Sequence, residues 1–243
     1  MITVATWNVL HRVHAENHSE AVAARWPQEA DRIAAVTATL KARSEQVIAL
    51  QEVSGDQLTS LRESLPGRTI HALRFPRVPV PRNGDGTQLR DAAEYLVLMA
   101  SEPGQQVAGF AFDGAPGKGT LAVRLNGVLF VVTHVSGDVR RVSQLTRLAL
   151  LGNEWPQYPV VILGDFNVGR FGVTSELGSD FTVADLPLGS LATRPDTHGL
   201  KPAYIDHVVA RGATITDAAV EDTAGLSDHN LVRATVTPEP QAG

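Results

Sequence analysis

The chain has 243 residues, which is enough for one large domain or two small ones with a sizeable core. Its formal net charge of −5 excludes the global basic field that long-range binding to duplex nucleic acid needs, and its 43% hydrophobic content is typical of a globular protein. Because it has no cysteine, disulfides, thiolate metal sites and cysteine nucleophiles are excluded. No signal peptide or membrane-spanning run is recognisable, so we expect a cytoplasmic protein without membrane contact.

Short apolar runs bounded by glycine, proline or polar residues predict strands along the whole chain. In chain order they are ITVATWNV, QVIALQEV, EYLVLMAS, GTLAVRL, VLFVVTHV, PVVILGDFN, AYIDHVVA and LVRATVT. Apolar residues at helical spacing predict helices over residues 28–43 and 143–151. Strands outnumber helices, and some helices lie between strands. This order predicts a layered α/β or α+β sandwich.

Two glycine- or proline-rich segments separate these elements. RFPRVPVPRNGDG is stiffened by three prolines and predicts a loop, whereas GAPGKGT predicts a hairpin between two strands. The latter is no phosphate-binding loop, because Lys118 is followed by Gly119 instead of serine or threonine. Neither a break in composition nor a repeat divides the chain. We therefore predict a single domain over residues 1–237, with a flexible tail over 238–243.

Polar residues follow or end most of the predicted strands. A single aspartate at a strand end is usually a turn former or a cap, but so many together predict a hydrogen-bonded network or a metal site, since buried polar groups need partners. The residues concerned are Asn8, Glu52, His134, Asp165, Asn167, Asp206, Asp228 and His229.

These residue types favour metal-assisted phosphoester chemistry. Carboxylates and amides are hard oxygen ligands, which suit Mg²⁺ or Mn²⁺ better than zinc. Asp165 would accept a proton from an attacking water that Asn167, two residues on, orients. Asp206 would keep the imidazole of His229 charged and directed at a phosphate.

The motifs TWNV, LQEV, TH, GDFN, IDH and SDH, in this order, resemble those of the endonuclease/exonuclease/phosphatase superfamily. The resemblance extends from Asn8 to His229. It implies a four-layered α/β sandwich, in which two packed, mostly antiparallel β-sheets are flanked by helices and the site lies at one edge. It also implies a Mg²⁺-dependent phosphoesterase.

The resemblance further implies a role for each site residue. Glu52 is the principal metal ligand, and Asn8 and Asp228 lie in the metal shell. Asp165 corresponds to the water-activating aspartate, and Asn167 to its phosphate-orienting neighbour.

The two histidines that contact the scissile phosphate in that superfamily are matched by His134 and His229. Asp206 matches the partner of His229. The chain is more compact than many members of the superfamily, which carry longer insertions over the substrate groove, so the resemblance defines the chemistry better than the substrate.

The arrangement Trp26-x(5)-Arg32-Ile33 before LQEV is similar to the deadenylase, nocturnin and Angel-type branch, whose members act on RNA 3′ ends. A basic loop would grip the phosphate backbone there. Its arginines are Arg74, Arg77, Arg82 and Arg90. By contrast, we expect His11, His14 and His18 to be solvated residues of a loop, because no carboxylate accompanies them at ligand spacing, with a substrate-facing role as the alternative.

The sequence therefore favours a monomeric enzyme that hydrolyses phosphoesters at RNA 3′ ends, either as a 3′-exonuclease or as a 2′,3′-cyclic phosphatase. A DNA endonuclease of the abasic-site repair type and a phosphatase of a small phosphorylated molecule are the alternatives. A third possibility, from another class, is an inactive nucleic-acid-binding module on the same fold, against which the complete set of site residues argues.

Overall fold

The computed structural model describes residues 1–84, 87–195 and 201–239. Its strands are β1 Ile2–Asn8, β2 Val47–Ser54, β3 Thr69–Arg74, β4 Glu94–Ala100, β5 Gln105–Phe112, β6 Ala115–Leu125, β7 Val128–His134, β8 Val160–Asp165, β9 Thr182–Val183, β10 Asp206–Arg211, β11 Ala213–Glu221 and β12 Leu231–Pro238. Its helices are α1 Arg12–Asn17, α2 Ala21–Arg25, α3 Glu29–Lys41, α4 Gly55–Ser64, α5 Arg141–Asn153 and α6 Arg170–Leu177.

Within the described part of the chain, the strands form two sheets of six. The first has the order β11-β12-β1-β2-β4-β3 and the second β5-β6-β7-β8-β10-β9. Each sheet contains one parallel pair, β1 with β2 and β7 with β8, and is otherwise antiparallel. Parallel neighbours need a crossover, and α3 and α5 lie in the two connections.

Four layers result from the burial of both faces of each sheet. Residues such as Val4, Leu98, Phe130 and Val208 fill the space between the sheets. The outer face of the first sheet packs its apolar residues with those of α3 and α4, and the outer face of the second with those of α5 and α6. The predicted four-layered α/β sandwich is confirmed.

The predicted strands all correspond to observed ones, and both predicted helices form with slightly different ends. The strands that the sequence analysis did not predict are β3, β5, β9 and β11, which are the four edges of the two sheets. Edge strands are partly exposed, so their sequences alternate or mix polar and apolar residues and lack a continuous apolar run. The hairpin expected at GAPGKGT is present, with Gly114 in its turn and Lys118 inside β6.

The tail predicted over 238–243 stays a prediction, but its first two residues are held by the fold. Pro238 ends β12, and the backbone N–H of Glu239 donates to the carbonyl of Gly212 over 3.0 Å. Residues 240–243 lie outside the described residues. Of the helices in the described ranges, none has the length and apolar character needed to cross a membrane.

Candidate active site

The polar strand ends converge on one cleft of about 700 Å³. In the second sheet, His134, Asp165 and Asp206 lie opposite one another on three neighbouring strands, because β7 pairs with β8 and β8 with β10 in that register. The predicted residues that line the cleft are Glu52, His134, Asp165, Asn167, Asp228 and His229. Asn8 and Asp206 are buried behind the lining and reach it through hydrogen bonds.

A bulge in β2 directs Glu52 into the cleft. Leu50 lies opposite Val97 and Val53 opposite Tyr95, so two residues of β2 face one residue of β4. Glu52 has a φ of 57°, in the left-handed region that residues other than glycine seldom adopt. Such strain is concentrated at functional sites, where the surrounding structure enforces it.

Asn8 joins the two sheets at the centre of the site. Its amide nitrogen donates to Glu52 Oε1 and to Asp165 Oδ2, each over 3.1 Å, while its amide oxygen accepts from the backbone N–H of Leu10 over 3.0 Å. Asn8 thus presents nitrogen to Glu52 and fixes the distance between the two carboxylates. Its place in a metal shell stays a prediction.

The chemistry of the donors fits a divalent cation at Glu52. The side chain is 11% exposed and faces the cleft. Burial alone would raise the pKa of Glu52, but the charges of His14, His134 and Lys118 and the Asn8 hydrogen bond hold it well below its usual range. Glu52 is therefore an ionised carboxylate, and each of its oxygens has a lone pair beyond its present hydrogen bond.

A second group of described residues, Asp165, Asp206 and His229, has ligand atoms within 4.8 Å of one another and could also hold a metal ion. Burial alone would lower the pKa of His229, but Asp206, Asp228 and Asp165 outweigh it and raise the pKa to about 10. A protonated imidazole has no lone pair for a metal. In this protonation state the second group fits a cation less well than Glu52 does.

His229 is oriented by a buried hydrogen bond, as predicted from the IDH and SDH motifs. Its Nδ1 lies 2.9 Å from Asp206 Oδ2, and its Nε2 points towards the cleft, 3.9 Å from Asp165 Oδ2 and 4.0 Å from Asp228 Oδ2. Burial raises the pKa of Asp206 against the attraction of His229. The proton they share stays on the imidazole, because three carboxylates surround it.

Asp165 lies next to His134 and Asn167. Burial alone would raise the pKa of Asp165, but the hydrogen bond and charge of His134, with the charges of His229 and Lys118, hold it well below its usual range. The backbone N–H of Asn167 donates to Asp165 Oδ1 over 2.9 Å, and its amide nitrogen donates to the carbonyl of Val135. Asn167 has a φ of 50°, so this turn too is held in a left-handed conformation.

The predicted arginine loop divides into two parts. Arg77 and Arg82 line the cleft, whereas Arg74, at the exposed end of β3, and Arg90 are absent from the described lining residues. The backbone N–H of Arg90 donates to Asp56, on α4. Of the four predicted arginines, Arg77 and Arg82 are therefore placed to meet a substrate in this cleft.

The expectation of solvated loop histidines is wrong for two of the three. His11 caps the N-terminus of α1 and is fully buried, and His14 lies on α1, lines the cleft and places Nε2 3.1 Å from Glu94 Oε2. The carboxylate that accompanies His14 is 80 residues away in the sequence, so no local spacing could reveal it. Only His18 is exposed, at the rim of the cleft.

Two cations of the cleft were also absent from the predicted site. Lys118 Nζ contacts His134 Nε2, and Arg194 Nη2 lies 2.9 Å from Asp228 Oδ2 and 3.1 Å from Glu20 Oε1. The GKG motif was a usable signal for Lys118. Nothing in the sequence around Arg194 marks it.

Trp26 and Arg32, which carry the similarity to the deadenylase branch, lie outside the cleft and stabilise two loops next to it. Arg32 is buried, pairs with Glu29 over 2.6 Å and donates to the carbonyls of Val9 and Leu226 over 2.7 and 2.9 Å. Trp26 Nε1 donates to the carbonyl of Gly225. They tie the loop after β1 to the loop before β12, and neither lines the cleft described above.

Comparisons with known proteins agree with this geometry. The model of the Endonuclease/Exonuclease/phosphatase family matches residues 5–229. Among curated protein sequences, none is significantly similar to the chain.

Several solved structures share the fold. The human Nocturnin catalytic domain with bound sulfate has a TM-score of 0.70 and 17% identity, over 97% of this chain and 94% of that one. TDP2 from D. rerio, complexed with a single-strand DNA product, has a TM-score of 0.66 and 15% identity, over 97% and 98%. A mannosyl-6-phosphatase from Bacteroides thetaiotaomicron has a TM-score of 0.67 and 16% identity, over 98% and 100%.

The resemblance inferred from the motifs is thus confirmed, and so is the enzyme class. The family match covers all six motifs, and the fold brings their residues to one cleft. Every activity in the family's description breaks phosphoester bonds. The chain belongs to the endonuclease/exonuclease/phosphatase family and is a hydrolase of phosphoesters.

Proposed function

We propose that the protein is a Mg²⁺-dependent phosphoesterase that acts on RNA 3′ ends, by trimming nucleotides or by opening a terminal 2′,3′-cyclic phosphate. The observation that carries the proposal is the alignment of His134, Asp165 and Asp206 across three strands, with His229 directed into the same cleft as Glu52. Mn²⁺ would be an acceptable substitute ion. A monomeric, cytoplasmic enzyme is part of the same proposal.

In this mechanism each side chain has a defined task. When bound at Glu52, with Asp228 and Asn8 nearby, the ion would supply positive charge against the phosphate and its leaving oxygen. Asp165, ionised and fixed by Asn8, holds the attacking water and takes its proton.

The charge that develops on the phosphate is met by His229 and His134. His229 is charged and aimed by Asp206, so it needs no reorganisation as the reaction proceeds. Asn167, locked by its backbone contact to Asp165, orients the phosphate or the water.

A strand end fits the cleft better than a tracked duplex does. A protein with a net charge of −5 is poorly suited to contact many phosphates of a duplex at once. Arg77 and Arg82, however, put positive charge beside the reacting centre. The structural neighbours leave DNA ends and sugar phosphates as alternatives, since they include TDP2 with a single-strand DNA product and a mannosyl-6-phosphatase. An inactive binding module is the alternative from another class.

The test is a comparison of initial rates with Mg²⁺ on four substrates: single-stranded RNA with a 3′-hydroxyl, RNA with a 2′,3′-cyclic phosphate, an abasic DNA duplex and mannose 6-phosphate. We expect one of the RNA substrates to be fastest. Robust incision of the abasic duplex with untouched RNA would transfer the assignment to DNA repair, and fastest turnover of the sugar phosphate would make the protein a phosphatase. No turnover of any substrate, in a folded protein that still binds RNA, would support the inactive module.

A further inference from the structure

We propose that one wall of the cleft, formed by His14 and Arg77 beside the buried carboxylate of Glu94, is a second anion site. It binds the phosphate that neighbours the scissile one in a polynucleotide substrate. The proposal rests on the proposed function for the identity of the substrate, but its geometry is independent of the reaction.

Glu94 is the buried anchor of this wall. It is the first residue of β4 and 1% exposed, and its Oε2 lies 3.1 Å from His14 Nε2 and 3.9 Å from Arg77 Nη2. A buried carboxylate is costly unless charged or hydrogen-bonding partners surround it. Both partners of Glu94 also line the cleft, so the carboxylate holds His14 by a hydrogen bond and attracts the half-exposed Arg77 beside it.

Arg77 is further fixed against the backbone of β6. The backbone N–H of Arg77 donates to the carbonyl of Pro116 over 3.3 Å. A Cβ atom at position 117, where the chain has glycine, would lie 2.7 Å from the Cζ of Arg77. Glycine at position 117 therefore leaves the space that the guanidinium group of Arg77 occupies. The next residue, Lys118, adds its ammonium group to the same cleft.

The segment that carries Arg77 and Arg82 is held rigid by Asn17 of α1. The side chain of Asn17 donates from Nδ2 to the carbonyl of Val80 over 3.0 Å and accepts at Oδ1 from the N–H of Arg82 over 2.8 Å. Pro76, Pro79 and Pro81 restrict the same segment in sequence. A cation on a preorganised segment loses little entropy when it binds an anion.

The net positive charge of this wall favours the binding of an anion. Arg77, Arg82 and Lys118 line the cleft together with His14. Of the carboxylates near them, Glu52 is assigned to the metal ion and Glu20 is paired with Arg194, which leaves Glu94, so the balance stays positive whether or not His14 is protonated. The scissile phosphate is served by the other wall. A neighbouring phosphate, of a strand that continues along the cleft, meets this requirement.

The test uses an RNA trinucleotide and its analogue in which the phosphate next to the scissile one is a neutral methylphosphonate. We measure kcat/KM with Mg²⁺ and, separately, equilibrium binding in the presence of a chelator. For the native protein we expect the analogue to lose roughly 10- to 100-fold in both quantities, as for the loss of a charge-assisted contact.

Arg77→Ala and His14→Gln should lose a similar factor on the natural trinucleotide and show almost no further loss on the analogue. Gly117→Ala should imitate Arg77→Ala in part, because the added methyl displaces the end of a flexible side chain without disturbing the fold. Arg62→Ala, on the exposed face of α4, is the matched control and should behave like the native protein.

Glu94 is a positioning residue, so Glu94→Gln should raise KM with little change in kcat, and its discrimination against the analogue should fall. Equal binding of the two trinucleotides by the native protein would overturn the proposal, whatever the turnover. Discrimination in binding without hydrolysis of either one would support the anion site and contradict the proposed function instead.

Discussion

Two histidine–carboxylate pairs contribute their imidazoles to the cleft. In the first, His229 Nδ1 lies 2.9 Å from Asp206, and both side chains are nearly inaccessible to solvent. In the second, His14 Nε2 lies 3.1 Å from Glu94, and the imidazole keeps 20% of its surface exposed. The chemical groups are the same, so the difference between the pairs lies in what surrounds them.

The first pair has two further carboxylates beside its imidazole, whereas the second has a cation, Arg77, as well as the carboxylate of Glu52 near it. Asp165 and Asp228 approach the free nitrogen of His229, which keeps that imidazole charged and makes it suitable for a phosphate that gains charge during the reaction. Arg77 shares Glu94 with His14, which makes that wall suitable for a phosphate that only has to be held. The neighbours of a pair, more than the pair itself, therefore determine its task.

The largest expected effect tests the carboxylate that lies between the two pairs. Glu52→Gln preserves the shape but removes the charge that would hold a divalent ion, so kcat should fall by more than about 1000-fold while folding survives. Circular dichroism and initial rates, with Glu63→Gln on the exposed face of α4 as the control, measure this. Activity that persists in excess chelator would contradict the metal mechanism.

A second variant separates chemistry from binding on the wall of the first pair. Asp165→Asn removes the proton acceptor and keeps a similar volume, so kcat should fall by about 10²- to 10⁴-fold with little change in RNA affinity. Single-turnover rates and fluorescence anisotropy provide the two numbers. A parallel loss of affinity would show that Asp165 serves mainly to hold the substrate.

The two histidines themselves give the most direct test of the comparison. His229→Gln should lower kcat by about 10²- to 10³-fold, because its contact strengthens in the transition state. His134→Gln should also lower kcat more than it raises KM. His14→Gln should raise KM by about tenfold and change kcat by less than about threefold. If His229→Gln and His14→Gln alter kcat and KM in the same proportion, the division of tasks is wrong.

The smallest expected effect concerns the stability contributed by a histidine that has no carboxylate partner among the described residues. His71, on β3, has an Nε2 that is shielded from solvent and has no hydrogen-bond partner among the described residues, and burial lowers its pKa. Its contribution to stability is therefore present above the unfolded-state pKa of about 6.5 and is lost as the pH falls below it.

His71→Leu should flatten the decline in the urea midpoint between about pH 6.5 and pH 5, with Thr69→Val on the same edge strand as the control. An unchanged slope in His71→Leu would mean that the acid sensitivity arises elsewhere. The histidine pairs of the cleft are the obvious candidates in that case.

The sequence predicts the first pair well and the second not at all. Asp206 begins the buried strand β10 and His229 lies two residues before β12, and each belongs to a short motif that recurs in a known family. His14 lies on a helix of six residues, too short for a reliable periodic signal. Glu94 begins the predicted strand EYLVLMAS, but it belongs to no motif that marks it as a site residue. Their contact depends on how α1 lies over the sheet, which is a property of the tertiary structure.

The same limit explains the other residues that the sequence analysis missed. The core strands were predictable because both of their faces are buried, whereas the edge strands were not. The motif LQEV predicted a carboxylate at the end of β2, but the bulge that turns Glu52 into the cleft arises from its pairing with β4. Arg194 became visible only through its ion pairs with Glu20 and Asp228.

The left-handed backbone of Glu52 implies a conflict between stability and activity at that position. A left-handed residue with a side chain costs about 1–2 kcal/mol, a cost that glycine avoids. Glu52→Gly would relieve this strain but would also remove the acceptor of the hydrogen bonds from Asn8 and His11. Glu52→Ala loses the same contacts and keeps the strain, so of these two inactive variants Glu52→Gly should have the higher melting temperature.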